Sequence, residues 1–301
     1  MQTDSKLLVT GATGHLGRRV VHHLLNTLEV PPARVIATTR KPDAAADLAK
    51  LGIEVRAADF DADGATLAAA LRGATRMLLV STDRLDVPGL RLAQHQRAIA
   101  AAVAAGVQHV VYTSMPSPET SRVSFAPEHA GTERALAESA LPGWTVLRNS
   151  WYFENWFHSI PGALKSGQWY SAAGDGKLAN IARDDLARAA ATVLAGADNG
   201  AKRTYTLSGA ELLTTREIAA TISAATGKPL AVVDVPIEGL VQGMVAHGFP
   251  EPIARIFASF DANTAAGGFA SVSGDYRTIT GREPQRLADW CAANVAGLTG
   301  A

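Results

Sequence analysis

A second cysteine, a net charge and a membrane-length apolar run are all missing from this sequence. The single Cys291 has no other thiol in the chain to pair with. With no His motif beside it, it reads as a small buried apolar side chain rather than a nucleophile, and a reducing cytoplasm fits that usage. The 28 Lys and Arg residues balance 28 Asp and Glu residues to a formal net charge of zero. No block of like charge is present either, which removes the electrostatic footprint that nucleic acid or a membrane surface would need. The Ala-rich stretch AIAAAVAAGV is too short and too weakly apolar to span a bilayer. The N-terminal MQTDSKLLVTG carries neither the apolar core nor the small-residue cleavage site of an export signal. What is abundant is apolar character, 47% of 301 residues, enough for one large core or two unequal lobes.

That apolar character is patterned. Up to about residue 150, short β-branched runs alternate with helical periodicity, which predicts parallel βαβ units. The strand candidates are KLLVT (6–10), RVIATTR (34–40), EVRAADF (54–60), RMLLVST (76–82), HVVYTS (109–114) and WTVLRNS (144–150). Leu16, Val20 and Leu24 mark one helix face between them, Leu67 and Leu71 another, and Ile99 with Val103 a third. Asp63 is placed to cap a helix, and Gly52, Gly73 and Gly106 to end helices in the left-handed conformation. After residue 150 the pattern weakens. ARDDLARAAATVLAG reads as a helix capped by Asp184 or Asp185, TYTLSG as a strand, and TTREIAATISAATG as a helix with a Thr214–Glu217 capping box that stops at Gly227. PQRLADWCAANV reads as a closing helix. Residues 236–285 hold few strong periodicities, and no internal repeat or low-complexity linker separates two halves.

The strongest chemical signal is VTGATGHLGRRVVHHLL, in which Gly11, Gly14 and Gly17 follow a strand and open a helix. Such a loop, here with Thr13, His15 and Leu16 inside it, lets backbone N–H groups and the positive helix end approach a pyrophosphate. The spacing is weak alone, but the strand before it and the βα alternation after it supply the required context. The second strand ends in ATTRKP. An NAD site would carry a carboxylate there, whereas Arg40 and Lys41 can meet a 2′-phosphate through charge-assisted bonds of roughly 1.5–3 kcal/mol. NADPH is the expected cofactor.

In VTGATGHLG, the Arg-ended second strand, VVYTS and ERALAESALPGWTVLRNSWYFEN, the sequence resembles the NmrA-like atypical short-chain dehydrogenases. Within that group it is similar to the type 2 NAD(P)H:quinone oxidoreductases and the triphenylmethane reductases, a similarity that LRNSWYFEN, AAGDGK and ARDDLA carry better than the glycines. The resemblance implies an α/β fold: a doubly wound parallel-sheet Rossmann domain (1–150 plus about 177–208). A smaller, interleaved C-terminal α/β substrate lobe (about 151–176 and 209–301) would close the cleft. It also implies NADPH as hydride donor; a small-molecule conjugated acceptor is the expected partner, and the oligomeric state stays open between monomer and homodimer. Tyrosine-dependent relatives carry a Tyr-x-x-x-Lys pair on the helix after the fifth strand. Aligning ERALAES and TVLR, with one inserted residue near Pro142, sets Phe125 on the Tyr and His129 on the Lys.

Spacing of i and i+4 would put Phe125 and His129 on one helix face, His129 toward the nicotinamide ribose and Phe125 toward the ring. His129 can equally be a helix-surface residue paired with Glu133. Losing the Tyr removes the acid worth typically 10²–10⁴-fold in ketone reduction. A quinone or a delocalised cation needs no such acid, because hydride addition gives a weakly basic phenolate or a neutral product. The expected substrate pocket is Phe125, Asn149, Trp151 and Tyr152, with Asn149 as polar contributor and Tyr152 as late proton source. Phe153 and Trp156 can line it or pack as core between the lobes. Asp59 and Phe60 match where the family holds adenine, and Ser81 and Thr113 line the crevice or serve as strand-end caps. His95, mid-helix, is shared with the reductases, and helix packing would equally place it there. Adjacent His22 and His23 cannot share a metal on one helix face, and no metal is expected. Two further readings stay open: a non-catalytic NADP(H)-binding redox sensor, and a biosynthetic imine or enone reductase.

Overall fold

The computed structural model describes residues 5–85 and 87–301. In chain order the first part runs β1 (Leu7–Val9), α1 (His15–Asn26), β2 (Val35–Thr39), α2 (Ala46–Lys50), β3 (Glu54–Ala57), α3 (Gly64–Leu71), β4 (Arg76–Leu79), α4 (Leu90–Ala104), β5 (His109–Ser114), α5 (Ala126–Glu138) and β6 (Gly143–Asn149). It continues with α6 (Ile160–Ser166), β7 (Gln168–Ser171), β8 (Lys177–Leu178), α7 (Arg183–Leu194), β9 (Lys202–Leu207), β10 (Leu213–Thr214) and α8 (Thr215–Thr226). The last elements are β11 (Ala231–Asp234), α9 (Ile237–Ala246), α10 (Glu251–Ala265), α11 (Asp275–Thr280), α12 (Leu287–Ala293) and α13 (Val295–Thr299).

The central sheet has seven strands in the order β3-β2-β1-β4-β5-β6-β9, and the neighbours from β3 to β6 pair in parallel. This is the doubly wound Rossmann arrangement. Every residue of β2, β4 and β5 is buried, which is why those strands read as continuous apolar runs rather than alternating ones. The order reverses between β1 and β4, and in such sheets ligands bind beyond the strand C-termini at that reversal. Arg76, 3% exposed, ties down the end of α7 and the loop after it, donating to the carbonyls of Leu194 (2.8 Å), Val193 (3.0 Å) and Asp198 (2.8 Å).

The chain divides into two compact units. The first comprises the described residues up to Met115, Pro127–Asn149 and Asp184–Tyr205; the second comprises Pro116–Ala126, Ser150–Arg183 and Thr206–Ala301. The first unit's core includes Leu8, Ile36, Leu67, Met77, Ile99 and Tyr112. The second has its own core around Phe153, Trp156, Ile218, Leu287, Trp290 and Cys291. Phe153 and Trp156 therefore belong inside the second unit, and burial pushes the Cys291 thiol up to about 12.

Most local signals act where the sequence places them. Asp63 accepts the Thr66 N–H at 2.9 Å, the Thr214–Glu217 capping box is formed, and Gly52, Gly73, Gly106 and Gly227 all have left-handed φ. At α7 the expectation needs correcting. The helix starts at Arg183, so Asp184 and Asp185 stand in its first turn, and the Glu154 carboxylate takes the Arg183 N–H at 2.9 Å. The same carboxylate accepts the Trp290 indole N–H at 3.3 Å. Among the described residues no helix is long and apolar enough to cross a membrane.

Candidate functional site

The glycine loop is built so that only glycine fits. Gly11 has φ +57°, and a Cβ on Gly17 would stand 2.3 Å from the Gly11 carbonyl oxygen, well inside contact distance. The loop closes with Gly14 N–H donating to Gly11 O at 2.9 Å. α1 then starts at His15 with no side-chain cap and no acidic residue in its first turn, leaving its N–H groups and positive end to an anion. Gly11, Gly14 and His15 are exposed, whereas Leu16 is buried in the core face of α1 and can serve a ligand only through its backbone. Thr13 Oγ1 lies 3.0 Å from Thr39 Oγ1, which also accepts the Lys41 N–H at 3.2 Å. This ties the glycine loop to the end of β2, where Arg40 and Lys41 are exposed.

The remaining crevice candidates fall on the same edge of the first unit. Ser81 N–H donates to Thr113 Oγ1 at 2.9 Å, so the two strand-end residues are bonded to each other. Asp59 is exposed and accepts the Asp61 N–H at 3.0 Å in a local turn, while Phe60 is half-buried against the core. Asn149, 6% exposed, is the last residue of β6.

His129 occupies a polar cluster that sequence reasoning did not foresee. Arg91 Nη2 donates to its Nε2 at 2.8 Å, and its Nδ1 lies 2.8 Å from the Tyr112 hydroxyl. A guanidinium can only donate, so Nε2 accepts and the ring is neutral with the proton on Nδ1. Burial, followed by the nearby Arg91 charge, holds the imidazole well below its usual pKa. Glu133 is engaged elsewhere, by Ser114 Oγ at 2.6 Å and Arg148 Nη2 at 2.6 Å. The signal for Arg91 was present in the sequence: with His95 it falls in phase with Ile99 and Val103, so a cation sits on the inward face of α4.

Phe125 differs from expectation. It precedes α5 and belongs to the second unit, while His129 belongs to the first, so the pair does not share a helix face. The Phe125 ring instead packs on Phe260 of α10, with centroids 5.7 Å apart. Trp151 meets the same Phe260 at 3.8 Å, and Phe269 stacks on it at 6.2 Å. Phe125, Trp151 and Phe260 are half-buried, an aromatic cluster in which the Phe125 ring is tilted 60° and the Trp151 ring 43° from the Phe260 plane. The Arg183 guanidinium lies over the Tyr152 ring, 5.6 Å from its centroid.

Residues 3–292 match the NmrA-like family. The chain belongs to that family. It is 37% identical over 283 residues to quinone oxidoreductase 2 of Escherichia coli (strain K12), covering 94% of this chain and 96% of that one. Among solved structures it is similar to the E. coli NADPH-dependent quinone oxidoreductase complexed with NADPH (TM-score 0.89, 36% identity, 95% of this chain and 98% of that one). It is likewise similar to Citrobacter sp. triphenylmethane reductase complexed with NADP(H) (TM-score 0.88, 32% identity, 96% of this chain and 99% of that one).

In this member of the NmrA-like family, the motif AAGDGK is a seat for α10. Asp261 accepts the Ala172 N–H at 2.6 Å and the Ser171 hydroxyl at 2.9 Å, and a Cβ on Gly176 would stand 2.3 Å from the Thr264 carbonyl oxygen. The same stretch of α10 also holds the approach to Phe125. Asn263 Oδ1 accepts the Arg122 N–H at 2.8 Å, and Ser259 Oγ accepts the Ser124 N–H at 3.2 Å. One helix thus carries Phe260, holds the segment leading to Phe125 and rests on the 171–176 turn. Phe260, Phe269 and Asn263 were not legible beforehand.

Proposed function

We propose that this protein is an NADPH-dependent oxidoreductase that reduces a quinone or a similarly flat, conjugated acceptor. The half-buried ring surface of Phe125, Trp151 and Phe260 carries this reading: it offers stacking and presents no hydroxyl at position 125. The residues present fit the cofactor, because the glycine cradle that a Cβ would fill and the uncapped start of α1 suit a pyrophosphate. NADPH, when bound, supplies the hydride. The Gly11–Gly17 amides would hold the pyrophosphate, and Arg40 and Lys41 would hold the 2′-phosphate.

Hydride addition to a quinone leaves a phenolate-type anion, whose pKa near the tyrosine reference of about 10 allows water to protonate it afterwards. The protein's task is then to orient a planar acceptor and exclude competing geometries, which proximity alone rewards strongly. Asn149 donates its amide to an acceptor oxygen or to the nicotinamide carboxamide, and Tyr152 is the late proton source. His129 acts as a positioning residue through its bonds to Arg91 and Tyr112. A reducing cytoplasm suits the lone buried Cys291. The test is to mix the protein with NADPH and a benzoquinone, a naphthoquinone and a cationic dye, following absorbance at 340 nm. Turnover of at least one acceptor is expected. Tight NADPH binding with oxidation by none of them would remove the enzymatic reading.

A further inference from the structure

Immediately after β4, three successive backbone amides each meet a side chain. Val80 N–H donates to Thr10 Oγ1 at 2.9 Å, Ser81 N–H to Thr113 Oγ1 at 2.9 Å, and Thr82 N–H to His95 Nε2 at 3.0 Å. The three acceptors come from the end of β1, the end of β5 and the middle of α4, and all are buried, His95 at 0% exposure. The segment they hold stands where strand order reverses between β1 and β4. It also abuts the glycine loop, since a Cβ on Gly11 would lie 3.8 Å from Val80 Cβ. Residues 80–82 therefore form a wall of the dinucleotide crevice, and ordinary strand pairing does not supply these bonds.

The imidazole is specified at both nitrogens. A backbone amide can only donate, so Nε2 of His95 is the acceptor and the proton is on Nδ1, 2.9 Å from Thr132 Oγ1. Thr132 in turn gives its hydroxyl proton to the Glu128 carbonyl at 2.7 Å, leaving a lone pair for His95. A Leu at position 95 would fill the space yet leave the Thr82 amide without its acceptor inside the protein, a loss of the kind that costs more than the bond itself contributes. We infer that His95 is a positioning residue for NADPH, fixing the 80–82 wall of the cofactor crevice through the Thr82 amide. Burial and the Arg91 charge push its pKa down to about 3, so the accepting form persists across the working pH range.

This inference rests on the NADPH reading, and direct titration of NADPH by protein fluorescence separates the two. Failure of the wild-type protein to bind NADPH would remove the cofactor reading itself. Given wild-type binding, His95→Leu is expected to raise the NADPH Kd about tenfold, equivalent to about 1.4 kcal/mol. Turnover at saturating NADPH should change far less than Kd. His95→Gln, whose amide oxygen reaches where Nε2 stands, is expected to stay within about threefold of wild type by the same arithmetic. Wild-type affinity in His95→Leu, or equal weakening in His95→Gln and His95→Leu, overturns the assignment in favour of plain packing. Should His95→Leu not fold, Thr132→Val decides with His95→Gln. A severalfold weaker Kd in Thr132→Val beside near-normal His95→Gln supports the inference, and the opposite pattern overturns it.

Discussion

A cation at position 40 and a phenyl ring at position 125 each answer a chemical question by themselves. Arg40 and Lys41 stand exposed at the end of β2, where a carboxylate would repel a 2′-phosphate. Arg40→Ala is expected to weaken NADPH by about ten- to a hundredfold, the worth of one charge-assisted bond, while leaving NADH affinity nearly unchanged. Titrating both dinucleotides checks this, and equal losses for the two would contradict it. Phe125→Tyr adds a hydroxyl at the position that the alignment sets on the relatives' tyrosine, yet quinone reduction should change by no more than about twofold, because the product anion does not require an acid. A large rate gain on quinones would mean that protonation limits the reaction. These residues were legible because each lies in a contiguous motif or at a fixed offset from one. Arg91 was half-legible, as a cation in phase with an apolar helix stripe, but its partner His129 lies 38 residues away.

At the scale of elements, α10 matters most and was least visible. Its buried positions are Ala254, Ala258, Asn263 and Thr264, small or polar residues, so the apolar periodicity that reveals a helix is weak there. Pro252 near its start and Gly267–Gly268 after its end read as loop. By contrast α8 announced itself through its capping box and Gly227, and α1 through the glycine loop. Because a Cβ on Gly176 would collide with the Thr264 backbone, Gly176→Ala is expected to displace α10. The acceptor kcat/KM should fall at least about tenfold, a misplacement effect, with NADPH Kd unchanged. Steady-state kinetics against a quinone together with NADPH titration would show it. A fall in NADPH affinity of the same size would place the damage elsewhere.

Across the whole molecule, buried histidines make stability depend on pH, His129 among them. His95 is pushed down to about 3 and His109 to about 4, in both cases mainly by burial. His109 is held neutral between Thr145 Oγ1 at 2.9 Å and the Asn199 carbonyl at 3.3 Å. Below an unfolded pKa near 6.5 the unfolded chain binds these protons and the folded protein does not, so stability falls as pH falls. At pH 5 each group accounts for a loss of roughly 2 kcal/mol relative to neutral pH, since a pKa unit is about 1.4 kcal/mol. Asp184, held low mainly by its bond to His23, contributes in the same direction only below about pH 4, where the unfolded carboxylate begins to protonate. Urea midpoints at pH 7.5 and pH 5 should separate accordingly, and coincident midpoints would show that none of these imidazoles is kept neutral.

The alternation of strands and helices, the glycine loop, the cations after β2 and the phenylalanine at position 125 are all legible as short-range pattern. Each depends on backbone geometry or on a side chain at a fixed offset from a motif. Long-range packing alone decided which rings meet at Phe260, how Arg91, His129 and Tyr112 share one proton arrangement, and which histidine receives the Thr82 amide. Those contacts join residues separated by 13 to 135 positions, with no periodicity to link them. Their partners became defined only once strands and helices had folded into the two units.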